Sequence, residues 1–211
     1  MASNIIYYTI LMVESLVGVF GVRLYEEPSY DIVARLNHNV EIRRYQERLA
    51  AEVELSGNDK DKLDQAFRLL FNYIAGANHT ALSGSSKIEM TAPVQVSINQ
   101  KITMTVPVEV SENPKTIKMR FYLPKIFNVT NTPTPLDNRV RIVSVPTELV
   151  AALRYTGTID RPTSRQSELI SSLDGTQWKP SDAPYWLSYD PPFTIPFLRR
   201  NEVAVTVVKT Q

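Results

Sequence analysis

The chain of 211 residues contains no cysteine. Disulfides, thiolate nucleophiles and Cys-ligated zinc or iron–sulfur groups are therefore excluded. Histidine is nearly absent too: His38 and His79 are the only two. A His-rich metal site is not expected, and a Ser-His-Asp arrangement would have to use one of these two rings. No charge of one sign dominates. Lys and Arg total 23 against 22 Asp and Glu, a net charge of +1. No Lys/Arg-rich run is present to gather a nucleic acid, so no nucleic-acid partner is expected. What remains is ordinary for a globular protein: 43% apolar and 21% charged residues, in a length that suits one large domain or two halves sharing a core.

Long hydrophobic runs are also scarce, with one exception. Residues 5–20 are apolar apart from Thr9, Glu14 and Ser15. The run is shorter than the roughly 20 residues that cross a bilayer as a helix. No Lys or Arg precedes it, and no small-x-small cleavage site follows, so it departs from an ordinary export signal. Three readings stand: an uncleaved anchor, an unorthodox signal, and a helix docked on the domain. Glu14 argues against a free transmembrane helix, because a carboxylate there costs about 2.5–3.5 kcal/mol. The expected placement is periplasmic or membrane-anchored ahead of cytoplasmic, with membrane association through residues 5–20. Residues 1–25 are set apart from a folded domain over 26–211.

Within that domain, residues 40–57 and 140–157 share a pattern at a constant offset of 100. Val40/Val140, Ile42/Ile142, Leu49/Leu149, Ala51/Ala151 and Gly57/Gly157 are identical, with no gap. A helical pattern follows each glycine. Two copies of one unit, about 30–123 and 124–208, would pack around a pseudo-twofold axis, and the seam between them is a natural cleft.

Strand-like alternation marks residues 30–36, 40–45 and 48–55, with Asn37-His38-Asn39 as a turn. Asn58 or Asp59 can cap a helix over about 60–75, whose apolar positions Leu63, Phe67, Leu70, Phe71 and Ile74 recur every three or four residues. Strands are expected at 87–96, 101–110 and 115–123, a loop at 124–138, strands at 139–145 and 148–156, and a second helix at 163–173. A loop over 178–184 and strands at 185–189 and 202–208 complete the reading. Runs of strands around single helices indicate α+β with a mostly antiparallel sheet.

Five segments, taken in order, carry a resemblance. They are Val40-Glu41-Ile42-Arg43-Arg44-Tyr45; Asn72-Tyr73-Ile74-Ala75-Gly76-Ala77-Asn78; Met-Thr-x-Pro-Val at 90–94 and again at 104–108; Tyr189-Asp190-Pro191-Pro192; and Arg199-Arg200-Asn201-Glu202-Val203. Over about residues 29–208 the chain resembles the SOUL/haem-binding-protein family, and the doubled pentapeptide resembles its bacterial members. The resemblance implies a distorted antiparallel β-barrel with two helices, built from two pseudo-twofold-related repeats. It also implies non-covalent binding of haem or another tetrapyrrole in a mainly apolar groove beside the first helix, for transfer, storage or buffering.

A porphyrin is a flat apolar plate with two carboxylates, and it needs an apolar floor and cations at its rim. Leu63, Phe67, Leu70 and Phe71 are candidates for the floor, although the same spacing suits plain core. Arg68, Arg199 and Arg200 are candidates for the rim, and Met90 and Met104 for soft packing or a weak iron ligand. Some animal members of the family carry a histidine, proposed as axial ligand, at the place that is Arg44 here. Other members carry a helix cation where Asp64 and Asn72 stand. An arginine stays protonated and does not coordinate iron, so no strong axial protein ligand is expected.

Two other functions fit the same residues. A related fold, the gyrase-inhibitor-like ligand-binding domain, suggests a module for another hydrophobic small molecule at the repeat interface. That module would use a buried carboxylate such as Glu202 or Glu89. A hydrolase pairing Glu202 with Tyr189 or Tyr155 is the third reading. A salt bridge from Glu202 to Arg199 or Arg200 competes with both.

Overall fold

The first hairpin follows from local chemistry. Asn37 Oδ1 accepts hydrogen bonds from the backbone N–H groups of Asn39 and Val40, each at 2.9 Å, and so turns the chain. On either side lie β1 (Tyr30–Arg35) and β2 (Val40–Tyr45), which pair antiparallel. The structure is a computed structural model describing residues 25–37, 39–80, 84–100, 115–158, 161–191 and 193–210. The run at 5–20, His38, Met104 and the strand expected at 101–110 lie outside the described residues.

After β3 (Arg48–Ser56) comes α1 (Lys60–Ile74), then β4 (Asn78–His79), β5 (Val94–Gln100), β6 (Lys115–Tyr122), β7 (Thr134–Pro135), β8 (Val140–Val145) and β9 (Glu148–Thr156). The chain ends with α2 (Thr163–Ser171), β10 (Trp178–Pro180), β11 (Tyr185–Ser188), a 3-10 turn at Pro196–Leu198, and β12 (Arg200–Lys209). Among the described residues, ten strands form one antiparallel sheet in the order β1-β2-β9-β12-β11-β5-β6-β3-β8, with β10 beside β12; β4 and β7 pair separately. The sheet curls strongly into a half-barrel whose outermost strands, β1 and β8, do not meet.

Three expectations are corrected. The strand expected from residue 87 begins at Val94, because Pro93 has no N–H to give a ladder. Residues 178–184 are not all loop: Trp178 is buried, and 178–180 extend the edge of β12. The last strand runs two residues earlier than expected, from Arg200.

The strand pairing interlocks the halves. β2 pairs with β9, Val40 opposite Leu153 and Tyr45 opposite Glu148. β8 pairs with β3, Val140 opposite Val53 and Val145 opposite Arg48. The second register is the first one shifted by 100 residues. Each helix covers one apolar core. α1 covers β3, β6 and β8 through Ala66, Leu70 and Tyr73 with Val53, Phe121 and Val140. α2 covers β9 and β12 through Leu169 with Leu153, Val203 and Val205.

Candidate functional site

Gly57 and Asp59 start α1. Gly57 has φ +107°, which a side chain tolerates poorly, and a Cβ there would meet Lys62 Cγ at 3.1 Å. Asp59 is the N-cap, its Oδ1 accepting from the Lys62 N–H at 2.9 Å. Successive residues then turn about 100° around the axis. Ala66, Leu70, Tyr73 and Ile74 face the sheet and are buried. Phe67 and Phe71 fall on one flank of that stripe. Leu69, Asn72 and Tyr73 fall towards the other.

The two flanks offer different surfaces. Phe67 and Phe71 are 36% and 48% exposed, large values for rings on a helix otherwise well packed. Their planes lie 13° apart with centroids 6.1 Å apart, and Phe67 rests edge-on against Phe121 at 5.4 Å. Arg68 is exposed on the outer face beside them. On the opposite flank is a recess of about 270 Å³, lined by Leu69, Asn72, Tyr73, Leu136, Asp137 and Val140 among others. Arg139 holds Asp137 there with bonds of 2.9 and 2.7 Å, and this pairing lowers the Asp137 carboxyl from 3.8 to about 2. His79 stands near the recess, since β4 pairs with the strand that leads into Leu136.

The remaining candidates disperse. Leu70 is fully buried in the core and Leu63 is partly buried against it, so neither forms an open floor. Met90 is partly buried on the same cluster. Arg199 and Arg200 lie at the start of β12, and the contacts described for them are not with α1. Arg199 donates from Nε and Nη2 to the Thr194 carbonyl at 3.2 and 2.6 Å. Arg200 belongs to a buried charge network. Arg44 is exposed on β2, opposite Asp31 of β1.

That network is centred on Glu202, which is completely buried. Arg43 grips both its oxygens at 2.6 and 3.1 Å, and Arg200 donates to Oε1 at 3.0 and 2.8 Å. The Tyr189 hydroxyl donates to Oε2 at 2.8 Å. Burial pushes the Glu202 carboxyl up, but Arg43, Arg200 and Tyr189 outweigh it and hold the group below the ordinary carboxylate range. Every lone-pair direction faces a donor already in place. A carboxylate so engaged is a poor general base and has nothing spare for a cationic ligand. Glu89 is exposed at the surface.

Beside the network lies a narrow niche ringed by Tyr30, Tyr45, Tyr122, Tyr185 and Tyr189. Arg48 fills its floor, its guanidinium 4.1 Å from the Tyr45 ring and 4.7 Å from the Tyr122 ring while it pairs with Glu148. The free space, about 10 Å³, holds about one water. Burial pushes the Tyr45 hydroxyl up to about 12 and raises Tyr122, Tyr185 and Tyr189 as well, so all four stay protonated donors at neutral pH. Sequence reasoning missed this ring and the recess. Tyrosines scattered from 30 to 189 give no local signal, and Leu136-Asp137 sits in a segment that reads as plain loop.

The comparisons with known proteins agree with this fold. The family model described as SOUL heme-binding protein matches residues 25–206. The chain belongs to that family. SOUL is a haem-binding family, which supports a haem- or tetrapyrrole-binding role and a small-molecule partner for this member. No curated protein matches the chain. Among solved structures, the EcmrR C-terminal domain is similar at TM-score 0.59 and 10% identity, over 86% of this chain and 99% of that one. A structure described as a hydrolase from Listeria innocua is similar at TM-score 0.55 and 11% identity, over 82% and 93%. At such identities the likeness is one of fold. The SOUL fold here places no group of three or more His, Asp or Glu side chains together as a metal site among the described residues.

Proposed function

We propose that this SOUL protein binds haem or another tetrapyrrole non-covalently on the Phe67–Phe71 flank of α1, for transfer, storage or buffering. The observation that carries the reading is the pair of near-parallel exposed rings on a helix whose other apolar side chains are covered. A porphyrin laid over them would cover about 200 Å² of apolar surface, worth about 5 kcal/mol before the cost of association. Arg68, exposed beside the rings, would meet a propionate. A bound haem would supply the iron, and on this flank Phe67, Phe71 and Arg68 would hold it by apolar contact and charge.

The recess on the opposite flank supports a second reading, because it is a hollow of about 270 Å³ beside the same helix and has His79 nearby. Hemin titration separates the two. Phe67→Asp should weaken binding at least about tenfold with the fold intact, while Leu136→Asp leaves it unchanged. The reverse result moves the ligand to the recess, where His79→Ala should alter the Soret band. Absence of any Soret change at micromolar protein would end both readings.

A further inference from the structure

The three most exposed large apolar side chains among the described residues are Val129, Ile126 and Phe197, at 76%, 74% and 73%. They lie on two loops, and the strand register puts both loops on one rim of the half-barrel. Phe121 of β6 pairs with Val94 of β5, Val94 with Ser188 of β11, and Ser188 with Asn201 of β12. The loop after β6 and the loop between β11 and β12 therefore leave the same end of adjacent strands. Three strand spacings, about 14 Å, separate their roots. Phe193, also exposed, adds a fourth ring or branch to this rim.

The amino-terminal segment reaches the fold at the same rim. The Glu26 carbonyl accepts from the Ala92 N–H at 3.0 Å, just before β5. The Glu26 carboxylate accepts from the Lys125 N–H at 3.0 Å, next to Ile126. Glu27 pairs with Arg200 at 3.2 Å, two residues after Leu198. The sequence that precedes Glu26 carries the apolar run at 5–20, so the described domain begins at the edge that carries the two apolar loops.

We propose that this rim is a membrane-docking surface: Ile126, Val129, Phe193 and Phe197 insert into the interfacial layer of a lipid bilayer at the place where residues 1–25 join the domain. The loops themselves are poor in cations, with Lys125 the one Lys or Arg in 125–131 and Arg199 buried in 193–199. Apolar insertion, rather than attraction to anionic lipid, is the driving force, and added salt changes binding little. No helix among the described residues is long and apolar enough to cross the membrane.

The absence of native cysteine makes the test direct. Full-length chains carrying Ile126→Cys, Phe197→Cys or, on the opposite rim, Asn58→Cys are labelled with an environment-sensitive fluorophore and mixed with phosphatidylcholine vesicles. The expected result is vesicle capture with blue-shifted emission at 126 and 197 and unchanged emission at 58. Adding Phe193→Asp and Phe197→Asp to the Ile126→Cys chain should remove most of the shift. The proposal is overturned by no capture, by capture with 126 and 197 still water-like, or by an equal shift at 58. It is also overturned by a shift that is complete before vesicles are added, which would mean that protein rather than lipid covers the rim.

Discussion

Glu202 shows how a residue's surroundings decide its chemistry. Seen in sequence beside Arg199 and Arg200, it suits a salt bridge, a ligand contact or a general base. In the fold it is buried with two guanidiniums and a phenol, and the main partner is Arg43, 159 residues away. Removing one side of such a buried pair leaves the other charge uncompensated. Glu202→Gln should cost about 3–5 kcal/mol in urea unfolding. Because its folded-state affinity for protons is lowered, the ion pair's stabilisation is present above the ordinary value of 4.5 and is lost only as pH falls through the lower folded value. Wild-type stability measured between pH 5 and 8 should therefore show no step from Glu202. A marked step there would mean that the carboxyl is not held as described.

At the scale of the element, α1 separates two roles that the sequence merges into one stripe. Leu70 and Phe71 are neighbours and both apolar, yet Leu70 is fully buried and Phe71 is half exposed. Leu70→Ala leaves a cavity in the core and should cost about 2–5 kcal/mol. Phe71→Ala should change stability by less than about 1 kcal/mol and weaken hemin binding instead. The opposite pattern, with Phe71→Ala unfolding the chain and binding untouched, would remove the helix flank from the site. The same helix shows why the periodicity could be read and the groove could not. A repeat of three and four residues identifies the face that is apolar. It does not show how far the sheet beneath extends to cover it.

At the scale of the molecule, the halves are interlocked by exchange of strands. β2 of the first half pairs with β9 of the second, and β8 of the second pairs with β3 of the first, at registers that agree under a shift of 100 residues. β3 and β9 also share one pattern of burial along all nine positions. Neither half of the chain completes its sheet alone, since β2 lies against β9 and β8 against β3. Fragments 25–123 and 124–211 should accordingly be unfolded when produced singly and should co-purify as a folded pair when produced together, as judged by circular dichroism. A singly produced fragment with a cooperative melt would contradict the interlock.

The amino-acid sequence by itself determined the local structure and several exclusions. The Asp59 cap, the alternation in 40–45 and 48–55, the α+β class and the lack of thiol chemistry all rest on residue type and spacing of a few positions. The resemblance carried by five short segments pointed to the family. Tertiary structure alone decided which arginines are spent in buried pairs, that Leu70 is core while Phe67 and Phe71 remain open, and that two apolar loops share a rim with the start of the domain. The physical reason is distance along the chain. Periodicity is written within a turn or a pleat, whereas partners such as Arg43 and Glu202 meet only after the sheet has curled and brought remote strands side by side.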